Sequence, residues 1–413
     1  MKFNNEMHLR DYIASLGGRL YLVGGAVRDI VMGKDPADKD YAVEGLSELP
    51  FNLVGRDFPV YLVEVDNVTC EVALCRTERK TGLGYNGFEV KAEENVTIKD
   101  DLKRRDFTMN AMALDLHNYI LIDPFNGMNH IKRKLLVHTS EAFKEDPLRI
   151  VRAARFAARF NLKIANETLM VMRGDMSEEL KEIPGERVGQ ELYKMFQQVS
   201  PKDRREFFDV LSTTQTLHHV FPEIDNLFVL DKHDGTTYNH VMNLLEHATS
   251  WLEFMMFLAH DLGKGETDPS EHPSHHGHDK LGVPVAKKMG KRLSLGKNIT
   301  RMMVAASKEH MRLKQFSEMK PSKQIRMVEK YGYTDALALM NMTYRDSIYR
   351  EGADRGEQNN IYHKNYVALF LTRDAIENVT GKDLIKEGIK PGPHFGQQLE
   401  QRRISYIKKW RKK

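Results

Sequence analysis

The stretch YLVGGAVRDIVMGKDPADKDYAV at positions 21–43 holds paired glycines, an arginine and an Asp-x-Asp pair. Gly24 and Gly25 let a backbone approach a phosphate, the N–H groups at the following helix start favour an anion, and Arg28 adds a donor. Asp38 and Asp40, if extended, present both carboxylates on one face, because side chains alternate along a strand with a period of two. That face suits a hard divalent cation. A phosphate cradle followed by a carboxylate pair is what nucleotidyl transfer needs, with two Mg²⁺ ions activating a hydroxyl and stabilising the departing pyrophosphate. The competing reading is a tight turn followed by a solvated acidic loop, and neither motif is specific alone.

Glu71 opens the β-prone run EVALCR, which can lie beside the aspartate strand and add a third carboxylate; a plain surface-strand glutamate is the simpler reading. The glycine-rich, charged segment RTERKTGLGYNGFEV reads as a mobile loop over the site. In DDLKRRDFTMNAMAL a helix is expected, with Asp106 and Asn110 on one face to meet a ribose and phosphates; a capping role for Asp106 is the alternative. IDPFNGMNHIKRKLL reads as a turn leading into a basic strand. In EDPLRIVRAARFAARF, Arg149, Arg152, Arg155 and Arg159 recur every three or four residues, a line of guanidiniums without lysine. Arginine suits bidentate recognition of phosphate or base edges, and Asp146, one turn before Arg149, adds an acceptor able to read a cytosine or adenine edge. An exposed charged face is the bland alternative.

A second constellation follows. His240 lies on VMNLLEHA, His260-Asp261 close the apolar run FLAHD, SHHGHDKLG follows, His310 sits in SKEHMRL and Asp346 in MTYRDSIYR. Imidazoles and carboxylates gathered from several helices suit a transition metal and an activated water for phosphoester hydrolysis. Any one of these histidines alone reads as a packing or surface residue, and the HHGH run as a polar loop.

The elements that position these groups are β-rich with interspersed helices to about 136, then helical. ERVGQELYKMF is a helix with a structural role. The 413 residues are enough for two to four domains. Net charge is only +4, from 62 Lys and Arg against 58 Asp and Glu. Basic clusters at 103–105, 132–134, 149–159 and 402–413, flanking a nucleotide site, favour an RNA phosphate track over scattered solvated faces. No apolar run approaches a membrane span, and the start MKFNNEMHLRD lacks the apolar core of a signal peptide; residues 1–19 read as one short helix. Cys70 and Cys75 fall on opposite faces of a strand, which argues against a disulfide or zinc pair and fits a reducing cytoplasm. The ending ISYIKKWRKK either stacks an aromatic on a base or anchors the last helix, the second being preferred.

GGAVRD, Asp38-x-Asp40, RRDFTMNA and EDPLRIVRAARFAARF stand in the order found in class II tRNA nucleotidyltransferases, the CCA-adding enzymes. The chain most resembles the bacterial type that carries an HD domain, over about 21–346. The resemblance implies an α+β fold, a nucleotidyltransferase head with a mixed sheet followed by all-helical neck, body and tail. The expected divisions are a head at 1–140, a neck and body with the template helix at 141–225, an HD domain at 226–350 and a tRNA-contacting tail at 351–413. It implies that Asp38 and Asp40 hold Mg²⁺, that Gly25 and Arg28 contact the triphosphate, and that Glu71 stands at a third carboxylate position. Arg105, Asp106 and Asn110 would contact nucleotide or ribose. Asp146 and Arg149 would act as a protein template that selects CTP and then ATP, with Arg152 and Arg155 also at the nucleotide site.

The HD-type order implies His240, His260, Asp261 and Asp346 as ligands of a divalent transition metal, with His310 nearby and His260-Asp261 catalytic. Its expected substrates are 2′,3′-cyclic phosphates, 2′-nucleotides and other phosphomonoesters. Expected partners are CTP, ATP and the acceptor stem and elbow of tRNA, for a cytoplasmic monomer or homodimer that contacts no membrane. Two departures from the family pattern stand out, His130 where an aspartate is usual and Val137 in place of a basic residue, along with a long start before Tyr21. A poly(A) polymerase on the same head, a phosphohydrolase with a vestigial head and a non-catalytic tRNA-binding factor are the alternatives.

Overall fold

The computed structural model describes residues 1–54, 59–80, 88–91, 93–234 and 237–411. Two compact units result, Met1–Val199 with Glu206–Val220 and Ser200–Arg205 with Phe221–Lys413.

The first unit is built on strands β1 (Lys2–Phe3), β2 (Arg19–Val23), β3 (Asp40–Glu44), β4 (Asn52–Val54), β5 (Val60–Val65), β6 (Val68–Leu74), β7 (Thr77–Lys80), β8 (Phe88–Lys91), β9 (Ala113–Asp115) and β10 (Leu121–Ile122). Its main sheet runs β1-β5-β6-β3-β2-β9-β10, with β4 added on β5. It is mixed, since β3 pairs antiparallel with β2 and parallel with β6. Both faces of the centre are covered. Along β2, Leu20 and Leu22 enter a core with Tyr41, Val43 and Val72, while Tyr21 and Val23 enter another with Ala42, Cys75 and Ala113. The period of two thus sorts one apolar run into two cores. Cys70 and Cys75 divide the same way and are buried free thiols.

The start is not all helix. Helix α1 (Glu6–Ser15) is capped by Asn5, whose side chain accepts from the His8 N–H, but Lys2–Phe3 pairs parallel with β5. Phe3 lies 5.5 Å from the Tyr12 ring and 6.0 Å from Phe51, so the residues before β2 close one edge of the sheet. Helix α2 (Gly25–Val31) follows β2 as expected. The segment expected to be a mobile loop includes β7 and β8, which pair antiparallel from Thr77↔Lys91 to Lys80↔Phe88; its remaining part at 81–87 lies outside the described residues.

The helix expected through 106–110 ends early. Helix α3 (Ile98–Lys103) stops before Asp106, and Thr108–Asn110 form a 3₁₀ turn leading into β9. Phe107 is the cause: it is extended at φ −127°, ψ 147° and fully buried, 5.4 Å from Phe143 and 5.7 Å from Phe156. The segment expected to turn into a basic strand first forms helix α4 (Gly127–Lys132), because the Asp123 carboxylate accepts from the Gly127 and Met128 N–H groups at 2.6 and 2.9 Å; the strand is only its end, Leu135–Leu136, which pairs parallel with Lys163–Ile164. Helices α5 (Leu148–Phe160), α6 (Asn166–Arg173), α7 (Asp175–Glu178) and α8 (Gly185–Gln198) follow.

Helix α9 (Arg204–Thr213) crosses the boundary between the units, and α10 (Leu217–Val220) ends the first. The second unit is helical: α11 (Pro222–Asp234), α12 (Thr237–Leu245), α13 (Trp251–Ala259), α14 (His278–Arg292), α15 (Lys297–Leu313), α16 (Pro321–Tyr331), α17 (Tyr333–Ile348), α18 (Arg355–Asn378), α19 (Gly381–Lys386) and α20 (Phe395–Arg411). Ile407 anchors α20 in a small core with Ile325 and Ala375, while Trp410 stays exposed. Among the described residues no helix is long and apolar enough to cross a membrane.

Candidate active sites

A cavity of about 640 Å³ in the first unit gathers most of the head residues singled out above. At one wall Asp40 and Glu71 stand opposite each other in the parallel β3–β6 pair. Asp38 precedes the strand in a bend and is exposed, so only Asp40 of the pair sits within β3. Desolvation of the Asp40 carboxyl, then the charge of Glu71, raise its pKa; Arg105 opposes them and Asp38 adds to them. Like charges paired in register call for a cation, and the Asp40–Glu71 pair fits the hard divalent ion that the motif implies, while Asp38 is not among the residues lining the cavity.

Across from them Gly24 turns at φ +67°, and a side chain there would meet Arg105 Nη1 at 2.8 Å. Gly25, Arg28, Arg105, Asp106 and Asn110 border the cavity. Although no helix carries them together, Asp106 and Asn110 do meet: Asn110 Nδ2 donates to Asp106 Oδ1 at 3.0 Å, and Asn110 Oδ1 accepts from Arg28 Nη1 at 2.9 Å. Arg152 donates from Nε and Nη2 to Asp106 Oδ2 at 2.9 and 2.7 Å. Burial alone would raise the Asp106 pKa, but Arg152, the Asn110 amide and Arg149 outweigh it and hold it at about 2. The cluster at 103–105 is partly neutralised within the fold, since Arg104 and Arg105 pair with buried Asp101 at 2.6 and 3.0 Å.

The arginine line of α5 is not an open face. Arg149 donates to the main-chain oxygens of Ala142 and Arg104 at 2.7 and 2.8 Å. Arg155, expected at the nucleotide, is not among the residues lining the cavity: it is buried and donates to Glu191 Oε2 at 2.7 Å and Gln198 Oε1 at 2.9 Å. Asp146 does border the cavity, but its carboxylate accepts from Arg187 Nη1 and Nη2 at 3.3 and 2.9 Å rather than from Arg149. Helix α8, given only a structural role above, supplies Arg187, Gln190, Glu191 and Lys194 to the same cavity. Their polar spacing within GERVGQELYK was the available signal. His130, one of the two departures, bonds the Thr108 hydroxyl through Nδ1 at 2.9 Å, and Val137 accepts the Thr108 N–H through its carbonyl at 2.9 Å; both brace the 3₁₀ turn behind Asn110.

In the second unit His240 of α12, His260 and Asp261 after α13, His278 of α14, His310 of α15 and Asp346 of α17 converge. Ligand atoms of His240, His260 and Asp261 lie within 4.8 Å of one another, as do those of Asp261, His278 and His310. Asp346 Oδ1 is 2.7 Å from His240 Nε2 and 3.6 Å from His260 Nε2. His278 was hidden in the HHGH run.

Close backbone approach assembles this site. Gly263, two residues after Asp261, would place a Cβ 2.0 Å from the His278 carbonyl oxygen and 2.4 Å from Gly282 N. His260 Nδ1 faces the Phe257 carbonyl oxygen at 2.8 Å, which fixes Nε2 toward the carboxylates, and buried Nε2 has no hydrogen-bond partner. Such an orphaned nitrogen beside buried carboxylates fits a divalent metal. Burial lowers the His260 pKa, but Asp261 and Asp346 reverse this and push it up to about 9; burial leaves that of His310 at about 4. Lys264 and Lys314 balance the buried charge, at 2.8 Å from Asp261 Oδ2 and from Asp346 Oδ2.

Residues 20–137 match the Poly A polymerase head domain, and residues 161–228 match the "Probable RNA and SrmB- binding site of polymerase A". A Multifunctional CCA protein of Nitrosococcus oceani is 37% identical over 94% of this chain and 98% of its own length. Another from Shewanella frigidimarina is 41% identical over 76% and 78%. The Bacillus stearothermophilus CCA-adding enzyme, solved with CTP, has the same fold: TM-score 0.67 at 22% identity, over 97% of this chain and 92% of that one. The Thermotoga maritima CCA-adding enzyme, solved with tRNA, gives 0.60 at 22% identity, over 97% and 89%. With a mixed-sheet head, a helical remainder and near full-length identity to those curated relatives, the chain belongs to the multifunctional CCA proteins, the CCA-adding tRNA nucleotidyltransferases.

Proposed function

We propose that this chain adds C, C and A to the 3′ end of tRNA from CTP and ATP without a nucleic-acid template. The observation that carries the reading is the Asp40–Glu71 pair, with Asp38 beside it, at a cavity whose other walls hold Arg28, Arg105 and Asp146. Asp38, Asp40 and Glu71 would hold Mg²⁺, which when bound activates the terminal 3′-hydroxyl and stabilises the departing pyrophosphate. Gly25 and Arg28 receive the triphosphate. Asp106 and Asn110, fixed by their mutual hydrogen bond, orient the nucleotide, and Asp146 with Arg149 presents the edge that selects the base. Head, neck and body, HD domain and tail divide at about 140, 225 and 350. The helical parts bind the acceptor stem and elbow by shape and phosphate contacts, so binding is salt-sensitive.

The buried histidine and aspartate cluster supports a separate phosphohydrolase. His240, His260, Asp261 and Asp346 would hold a divalent transition metal, which when bound supplies Lewis acidity for hydrolysis of 2′,3′-cyclic phosphates and phosphomonoesters.

The test is incorporation on a tRNA transcript ending at the discriminator base, with 3′ ends sequenced. Two C residues from CTP alone and one further A with both nucleotides are expected. A long A tract from ATP alone would indicate a poly(A) polymerase. Asp38→Ala with Asp40→Ala abolishes incorporation and leaves hydrolysis of a 2′,3′-cyclic nucleotide intact.

A further inference from the structure

The aspartates of the head stand at the end of an irregular stretch. Residues 34–39 form neither helix nor strand, and Asp38 lies in a bend before β3 begins at Asp40. A carboxylate that binds metal must be held within about 0.5 Å of its working position, and a bend does not do this by itself.

The residues before β2 supply a brace. Glu6, in the first turn of α1, accepts from the Tyr41 hydroxyl through Oε1 at 2.8 Å, and its Oε2 lies 3.3 Å from Lys39 Nζ. Lys39 and Tyr41 flank Asp40 in sequence, and Lys39 directly follows Asp38. Side chains alternate along an extended chain, so the two residues that Glu6 grips share one face while Asp40 takes the other, beside Glu71. One carboxylate thus holds the chain from behind on both sides of Asp40.

Glu6 is itself held in place. Asn5 caps α1, and Leu9 and Ile13 of that helix are fully buried in the core that contains Tyr41, Val43 and Val72. The two arms of the brace differ in strength. Tyr41 is buried, its hydroxyl needs a partner there, and a bond to a carboxylate is charge-assisted. Lys39 and Glu6 are partly exposed, so their ion pair is the weaker arm.

We propose that Glu6 is a positioning residue for nucleotidyl transfer, clamping Lys39 and Tyr41 so that Asp38 and Asp40 keep the geometry the cation needs. The proposal rests on the transferase reading above and gives the chain before β2 a part in it.

The experiment follows CTP and ATP incorporation on a tRNA transcript against Mg²⁺ concentration, in the full chain and in Glu6→Ala, Glu6→Gln, Tyr41→Phe and the Glu6→Ala/Tyr41→Phe double variant. Misplacing a reacting group by 1 Å costs up to about 10²-fold, so Glu6→Ala is expected to need roughly tenfold more Mg²⁺ for half-maximal rate and to lose roughly tenfold in kcat. KM for nucleotide stays unchanged, because Arg28 and Asn110 stand on other elements and hold each other. Glu6→Gln, whose amide oxygen still accepts from Tyr41, falls between Glu6→Ala and the parent. Tyr41→Phe shifts the Mg²⁺ requirement in the same direction, and adding it to Glu6→Ala has no further effect, since both remove one contact. Tyr41→Phe keeps the ring in its core and carries the test by itself where Glu6→Ala unfolds. Unchanged Mg²⁺ dependence and kcat overturn the clamp and leave the transferase reading standing. A loss of activity with an unmoved Mg²⁺ midpoint, or additive losses in the double variant, makes Glu6 a general stabiliser of the head and overturns the clamp as well. No incorporation by the parent overturns the transferase reading and the clamp with it.

Discussion

Arg187 on α8 donates to both carboxylate oxygens of Asp146, at 3.3 and 2.9 Å, and so holds the acceptor that is proposed to read the incoming base. An acceptor that selects between base edges works only if its orientation is set before the nucleotide arrives. Arg187→Ala leaves Asp146 free to rotate. The expected outcome is a fall in kcat/KM for CTP and ATP of about tenfold or more, the scale of one charge-assisted hydrogen bond, with a rise in UTP incorporation. Single-nucleotide incorporation on a tRNA transcript measures both. A change in rate with no change in selectivity would count against Asp146 as the reader.

Asp106 links this cavity to acid stability. Its pKa is held at about 2, so the folded state binds its proton less readily than the unfolded chain does. The resulting stabilisation is fully present above the ordinary carboxylate pKa near 4 and is lost as pH falls from about 4 to 2. Arg152→Ala leaves a buried carboxylate with its main counter-charge removed, a change that costs roughly 3 kcal/mol or more. Unfolding followed by denaturant titration is expected to show that loss at pH 7, and a smaller difference between variant and parent at pH 3.

Glu71→Gln separates the third carboxylate from a surface glutamate. Glu71 pairs with Asp40 in register and helps to raise its pKa, so the amide relieves that repulsion while removing a ligand. If Glu71 holds metal, the variant needs more Mg²⁺ for half-maximal incorporation and its kcat drops by about 10²-fold or more, on the scale seen when a charge-stabilising group is removed. An unchanged Mg²⁺ dependence would return Glu71 to a structural role.

Much of this was legible in the chain because the signals are local. The alternation in RLYLV gives β2 and the GG pair gives the turn, whereas Asp38 and Asp40, expected on one extended face, divide between a bend and the start of β3. What escaped was decided by distant partners. Phe107 ends the expected helix because Phe143 and Phe156 claim its ring, and those contacts have no local pattern. The arginines of α5 read as an open line, yet Glu191, 36 residues from Arg155, draws that side chain inside. His278 escaped for a related reason: inside a polar HHGH run, nothing distinguishes the one imidazole that α14 turns toward Asp261 from its solvent-facing neighbour His276.

Gly263 offers the sharpest test of how the second site is assembled. A methyl group at this position would lie 2.0 Å from the His278 carbonyl oxygen and 2.4 Å from Gly282 N, both main-chain atoms that no rotamer change can move. From the other side, a Cβ on Gly282 would fall 3.0 Å from Gly263 N and 3.3 Å from its Cα, besides 2.2 Å from Ser307 Oγ on α15, so the contact between α14 and the turn after Asp261 has little slack. Gly263→Ala therefore pushes the start of α14 away and carries His278 with it. Overpacking of this kind costs about 1–3 kcal/mol, and the displacement separates His278 from Asp261. Weaker metal retention, loss of cyclic phosphodiester hydrolysis and a lower unfolding temperature are expected, while CTP and ATP incorporation at the head persists. Full hydrolysis and unchanged metal binding in this variant would show that the close approach does not position the site.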